Sequence, residues 1–183
     1  MSREVDTWSG LGGGAVRPMR PGLDPVLPEL LIGEYPRVED LAWLRDVHGV
    51  TAVVSLQDDA DLASKRLAAP ELEDACATLG LAFSRLPIAD GDPEALAARL
   101  PVVIDRLHAL IAAGARVYLH CNAGYNRAPT VAIAYLHVHH RVPLADACEQ
   151  VKARRSCVPY VSALRACYGD GAGAASPDSG RRR

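Results

Sequence analysis

Aromatic side chains are scarce in this chain: one phenylalanine, two tryptophans and six tyrosines amount to 5% of 183 residues. That inventory leaves no room for a separate carbohydrate-binding module, which recruits several aromatics. An excess of charge of either sign is also missing. With 20 basic against 22 acidic residues the net charge is −2, so no general positive field gathers nucleic acid or an anionic membrane. Any anion must be met by a local site. No run of about 18 apolar residues occurs, which excludes a membrane-spanning helix. Residues 1–22 lack the apolar core of a signal peptide. Cys76, Cys121, Cys148, Cys157 and Cys167 are odd in number and form no Cys-x-x-Cys pair. A disulfide framework and a ribbon-type zinc site are therefore not indicated, and reduced thiols in a cytoplasmic protein are expected.

What is present is a length suited to one domain with a sizeable core, 49% of it hydrophobic. Glycine and proline crowd the amino end, and Gly169 to Arg183 is mostly Gly, Ala, Ser and Asp with a closing Arg181-Arg182-Arg183. Flexible segments are thus expected over 1–22 and 170–183, around a folded domain over 23–169. Within it, strand-like runs at Leu30–Ile32, Thr51–Leu56, Ala82–Ile88 and Val117–His120 alternate with helical patterns at Val38–His48, Pro70–Thr78 and from Asp92-Pro93 to Gly114. Pro101 predicts a kink or a fresh start in the last of these. Ala128–His140, Pro143–Arg155 and Pro159–Tyr168 follow as helices. Such alternation is the mark of an α/β layer fold.

The chemistry gathers in His120-Cys121-Asn122-Ala123-Gly124-Tyr125-Asn126-Arg127, between the last strand and a helix. A loop in that position aims backbone N–H groups at the positive end of a helix dipole and cradles an anion such as phosphate. The same field stabilises a thiolate; cysteines at helix starts can have pKa values of roughly 3.5 to 7.5, which makes Cys121 a nucleophile. Gly124 permits the bend, and Arg127 can offer its planar fork to two phosphate oxygens. A Cys followed by Arg six positions on is weak evidence, expected about 0.5 times by chance. Cys148 and Arg154 share that spacing inside one continuous helical pattern and read as structural. Requiring His before the Cys and Gly three after it lowers the chance expectation to about one in a thousand.

HCNAGYNRAP resembles the signature of the cysteine-dependent protein tyrosine phosphatases, in their dual-specificity branch, and the resemblance runs from about Pro28 to Tyr168. The run RAP, RSCVP at Arg155–Pro159 and SLQDD at Ser55–Asp59 most resemble the laforin-like glucan phosphatases. The resemblance implies a single α/β domain with a central, mainly parallel sheet of four to five strands flanked by helices. It implies no metal and no cofactor, and hydrolysis through a phosphocysteine. It also implies a general acid on an upstream loop, here Pro87–Asp92. A departing alkoxide or phenoxide needs a proton, and the same carboxylate can later take one from water. Asp92 precedes Pro93 and suits a helix N-cap, which favours Asp90 as the acid with Asp92 as the alternative. His120 is expected to orient the loop rather than to transfer protons. His137, His139 and His140 lack carboxylate or cysteine companions at ligand spacing and read as structural.

Two positions depart from the pattern. Most members carry Ser or Thr after the arginine, where its hydroxyl supports the leaving thiolate; Ala128 stands there, and Thr130 lies further along the helix. Asn126 stands where the glucan enzymes usually have Gly. Asn122, Ala123, Gly124, Tyr125, Asn126 and Arg127 are the expected phosphate-binding residues. No second cation lies in that loop, which disfavours highly phosphorylated inositol lipids. Tyr125 suits a phosphotyrosine ring or a sugar face, or simply lies on the neighbouring surface. The leading expectation is a phosphomonoester hydrolase acting on phosphoprotein or phosphoglucan. Its rivals are a phosphate-recognition module of slow turnover, which Ala128 motivates, and a redox or sulfur-transfer protein, which has only the reactive thiol in its favour.

Overall fold

Residues 20–169 are described in a computed structural model. Its strands are β1 (Leu23–Leu27), β2 (Leu30–Gly33), β3 (Ala52–Ser55), β4 (Ala82–Arg85) and β5 (Val117–His120); its helices are α1 (Val38–His48), α2 (Asp59–Lys65), α3 (Ala69–Thr78), α4 (Pro93–Ala112), α5 (Arg127–His139), α6 (Leu144–Arg154) and α7 (Val161–Tyr168). The strands form one sheet in the order β1-β2-β5-β3-β4, parallel throughout except for β1. Every residue of β2, β3 and β5 is buried, as strands covered by helices on both faces must be. Their side chains alternate between two cores. Leu30, Ile32, Val54, Val117 and Leu119 pack with α4 to α7, whereas Leu31, Val53 and Tyr118 pack with Leu41 and Leu44 of α1 and Cys76 of α3.

The α/β domain with a mainly parallel five-stranded sheet agrees with the expectation, and three local features differ from it. The antiparallel edge strand β1 was not expected, because Pro25 lowers strand propensity; it is tolerated at a sheet edge, where the register also shifts between Pro25 and Leu27. The short helix α2 was not expected either. Pro101 neither kinks nor restarts the helix, since α4 runs unbroken for 20 residues. A proline there cannot donate to the carbonyl four residues back, that of Ala97, and this carbonyl instead accepts from the Cys167 thiol of α7 at 3.4 Å. The expected flexible ends lie outside the described residues apart from Arg20–Gly22, where Arg20 Nη1 pairs with Asp40 Oδ1 at 3.1 Å. Among the described residues no helix is long and apolar enough to cross a membrane.

Beyond the carboxyl ends of the parallel strands lie Glu34 and Tyr35 after β2, Leu56 and Gln57 after β3, Ile88 to Asp90 after β4, and Cys121 after β5. The central strand β5 has β2 on one side and β3 on the other. That is where open parallel sheets place their ligands.

Candidate active site

The loop after β5 has its carbonyls bonded outward, one by one. His120 Nδ1 lies 3.1 Å from the Cys121 carbonyl, to which its N–H form donates. The Asn122 carbonyl accepts from the Tyr35 N–H at 2.9 Å. Arg155 donates from Nη2 to Ala123 at 2.9 Å and from Nε to Gly124 at 2.7 Å, and its Nη1 pairs with Asp24 at 2.8 Å. The Val158 N–H donates to Tyr125 at 2.9 Å, and Asn126 accepts from the Thr130 N–H at 3.1 Å and the Thr130 hydroxyl at 2.7 Å. No N–H from Asn122 to Asn126 donates to another described residue. With the carbonyls engaged outside, the amides are left for the inner side, the arrangement of an anion nest. Gly124 is required twice over: its φ is +61°, and a Cβ there would lie 2.5 Å from the Gly33 carbonyl carbon.

Cys121 is 2% exposed at the start of this loop, and Arg127 at its end is fully buried. Arg127 Nη1 donates to Asp61 Oδ2 at 2.6 Å and to the Ile88 carbonyl at 2.8 Å. Its Nε lies 3.1 Å from Asp90 Oδ1 without the alignment of a hydrogen bond, and both Nε and Nη2 lack a hydrogen-bond partner. Burial works against the charged guanidinium; the Asp61 hydrogen bond and the charges of Cys121, Asp61 and Asp90 outweigh it, so the pKa of Arg127 is raised. Burial also opposes the Asp61 carboxylate, yet its bonds from Arg127, Asp58 and Asn122 leave its pKa lowered. Asn122 Nδ2 donates to Asp61 Oδ1, and Asn122 Oδ1 accepts from Gln57 Nε2 at 2.8 Å. One chain of bonds therefore ties β3, α2 and the loop to Arg127.

Asp61 and Gln57 are the residues that sequence reasoning missed. No role was assigned to Asp61 from the sequence; the available signal was Asp58, which caps α2 by accepting from the Asp61 N–H at 2.7 Å and so fixes where Asp61 points.

The two aspartates of the β4–α4 loop have different partners. Asp92 caps α4 by accepting from the Ala95 N–H at 2.9 Å. Asp90, its side chain half exposed, faces Arg127. His120 is held neutral: burial, with the Arg127 charge beside it and against its bond to Cys121, brings its pKa to about 4. Ala128 is buried, and the Thr130 hydroxyl, which donates to Asn126 and accepts from the Tyr160 N–H at 2.8 Å, is engaged away from the sulfur. Tyr125, within the loop, is 43% exposed. The late histidines have other partners: His137 Nδ1 donates to the Val142 carbonyl at 2.9 Å, and His139 stacks on His108. Among the described residues no group of three or more His, Cys, Asp or Glu is placed to hold a metal ion.

Residues 30–165 match the family model described as the dual specificity phosphatase catalytic domain. The chain is 30% identical over 148 residues to phosphoglucan phosphatase DSP4, amyloplastic, of Castanea sativa, covering 79% of this chain and 39% of that protein. To dual specificity protein phosphatase 5 of Homo sapiens it is 29% identical over 133 residues, covering 73% of this chain and 31% of that protein. The chain thus spans less than two fifths of the length of either relative. The crystal structure of Tk-PTP in the active form shares the fold, with a TM-score of 0.68 at 21% identity over 81% of this chain and 97% of that one. A buried cysteine and arginine six positions apart, on a loop between the central parallel strand and a buried helix, place this chain with that match: it belongs to the cysteine-based dual-specificity phosphatase family.

Proposed function

We propose that the domain, residues 23–169, hydrolyses phosphate monoesters of protein or glucan in two steps through a phosphocysteine. The observation that carries this reading is Arg127, a fully buried guanidinium whose Nη2 has no partner and whose Nε meets only the misaligned Asp90 carboxylate at 3.1 Å, next to a loop whose carbonyls are all engaged elsewhere. Unsatisfied charged donors in a buried site cost several kcal/mol, on the order of 3, unless an oxyanion takes them up. In the first step the Cys121 sulfur forms a bond to phosphorus while the bond to the leaving oxygen breaks, and Asp90 gives that oxygen its proton. In the second, water attacks phosphorus, Asp90 takes the water's proton, and the S–P electron pair returns to Cys121. Arg127 and the loop amides hold the three equatorial oxygens, aimed before the charge develops. His120 supports the loop through the Cys121 carbonyl.

A small aryl phosphate should be hydrolysed without added metal, and Cys121→Ser should reduce turnover to background; full turnover in that variant would end the proposal. Asp90→Ala should lower the rate about a hundredfold or more. Asp92→Ala should mainly cost roughly 1 kcal/mol of stability through the lost cap; the opposite ranking of rates would exchange their roles. Relatives named for glucan and for protein substrates are about equally similar to this chain. Phosphate release from phosphopeptides against phosphorylated amylopectin decides between them.

Ala128 favours a second reading, a phosphate-recognition module of slow turnover, because no hydroxyl stands next to Arg127 to support the departing sulfur. It predicts a burst of one equivalent of product followed by near arrest. Sustained steady-state release eliminates it.

A further inference from the structure

The segment Ala89-Asp90-Gly91 bridges two fixed points. Before it, the Ile88 N–H donates to the Leu56 carbonyl at 3.1 Å and the Ile88 carbonyl accepts from Arg127; after it, Asp92 caps α4. Between them the backbone has one further tether, the Gly91 N–H donating to the Tyr160 hydroxyl at 3.0 Å. Tyr160 stands immediately before α7, far along the chain, and its own N–H donates to the Thr130 hydroxyl, which in turn donates to the Asn126 carbonyl of the phosphate loop. A continuous path thus runs from the residue beside Asp90, through Tyr160 and Thr130, to the residue beside Arg127. Burial raises the Tyr160 pKa, against the hydrogen bond from Gly91, so the hydroxyl stays protonated.

We infer that Tyr160 is a positioning residue for the acid step: its hydroxyl holds the Asp90 loop against the phosphate loop. The inference rests on the proposed phosphomonoesterase reading. Glycine at 91, with φ +75° and open space around its Cβ position, gives the loop freedom to leave; the tyrosine hydroxyl restrains its backbone, and the contact of Asp90 with Arg127 its side chain. Because the effect passes through Asp90, it must scale with the need for a proton on the leaving oxygen. An alkyl phosphate needs one; a dinitrophenyl phosphate, whose phenolate departs unaided, needs almost none.

The test is Tyr160→Phe in the full chain, which deletes one oxygen, read as kcat/KM over a series of phosphate esters of rising leaving-group pKa. Asp90→Ala serves as the comparator. The expected result is a loss of about tenfold for the alkyl ester against less than about twofold for the dinitrophenyl ester, the same trend as Asp90→Ala but shallower. Vanadate affinity, which reads the phosphate loop alone, stays within about twofold. A loss equal across the series, or none at all, overturns the role of Tyr160. A parent protein without turnover, or a Cys121→Ser variant that keeps it, instead overturns the reading beneath.

Discussion

Asp58, Asp59 and Asp61 lie within four positions, and their surroundings give them three different tasks. Asp58 caps α2, Asp59 is 93% exposed in its pair with Arg85, and Asp61 is 6% exposed against the buried Arg127. An exposed pair such as Arg85–Asp59 contributes at most about 1 kcal/mol. Removing one partner of a buried pair costs far more, roughly 3 to 5 kcal/mol, because the other charge is left behind. Asp61→Asn should therefore lower stability to urea by about 3 kcal/mol and Asp59→Asn by less than about 1 kcal/mol. The fork of Arg127 also loses its fixed direction, so kcat/KM should fall more than about tenfold. An oxyanion such as vanadate replaces the missing negative charge and should raise the melting temperature of Asp61→Asn by more than it raises that of the parent. Equal stability of the two variants would show that Arg127 does not depend on Asp61. Of these three roles only the cap is local in sequence; the burial of Asp61 depends on Arg127, 66 residues along the chain.

At the scale of elements, the strands β2, β3 and β5 are legible because continuous apolar runs between turn residues have few other uses, and the loop from Cys121 to Arg127 because its spacing is chemical. The order β1-β2-β5-β3-β4 is not, since it depends on which strands meet across long connections. Nor is β1, whose pairing of Leu23 with Gly33 outweighs the local preference of Pro25. α2 has seven residues, too few to show an apolar stripe. α4 shows the same override with a measurable consequence. Pro101 leaves the Ala97 carbonyl for the Cys167 thiol, which couples α4 to α7. Pro101→Ala should restore the intrahelical bond and stabilise the protein by roughly 1 to 3 kcal/mol. Cys167→Ala should cost about 1 kcal/mol in the parent and measurably less in the Pro101→Ala background, a non-additivity that urea unfolding of the four proteins reads directly. Additive effects would mean that the thiol bond contributes nothing.

For the molecule as a whole, the site is built where four parallel strands end, so its groups sit in the best-buried part of the fold and their protonation is coupled to folding. His120 is the clearest case: it is fully buried, stacked near Tyr118 at 5.8 Å, with Nδ1 engaged by the Cys121 carbonyl and Nε2 without a partner. Its pKa of about 4 lies below the unfolded value of 6.5. Between these values the unfolded chain binds a proton that the native protein does not, so stability rises with pH there and is lost on acidification. The loss begins near pH 6.5, is complete near pH 4, and amounts to about 3 kcal/mol from this group. His48 and His139 are lowered by burial and add in the same direction. Asp61, whose pKa is lowered, adds its own loss only once the pH falls below the ordinary carboxylate range. Urea unfolding at pH 7, 6 and 5 should therefore show a steep decline, and His120→Asn, though less stable at pH 7, should show a distinctly shallower one. Stability that is flat from pH 7 to pH 5, or an equal slope in the variant, would mean that His120 is protonated in the native state and that the loop carbonyl is held by an imidazolium instead.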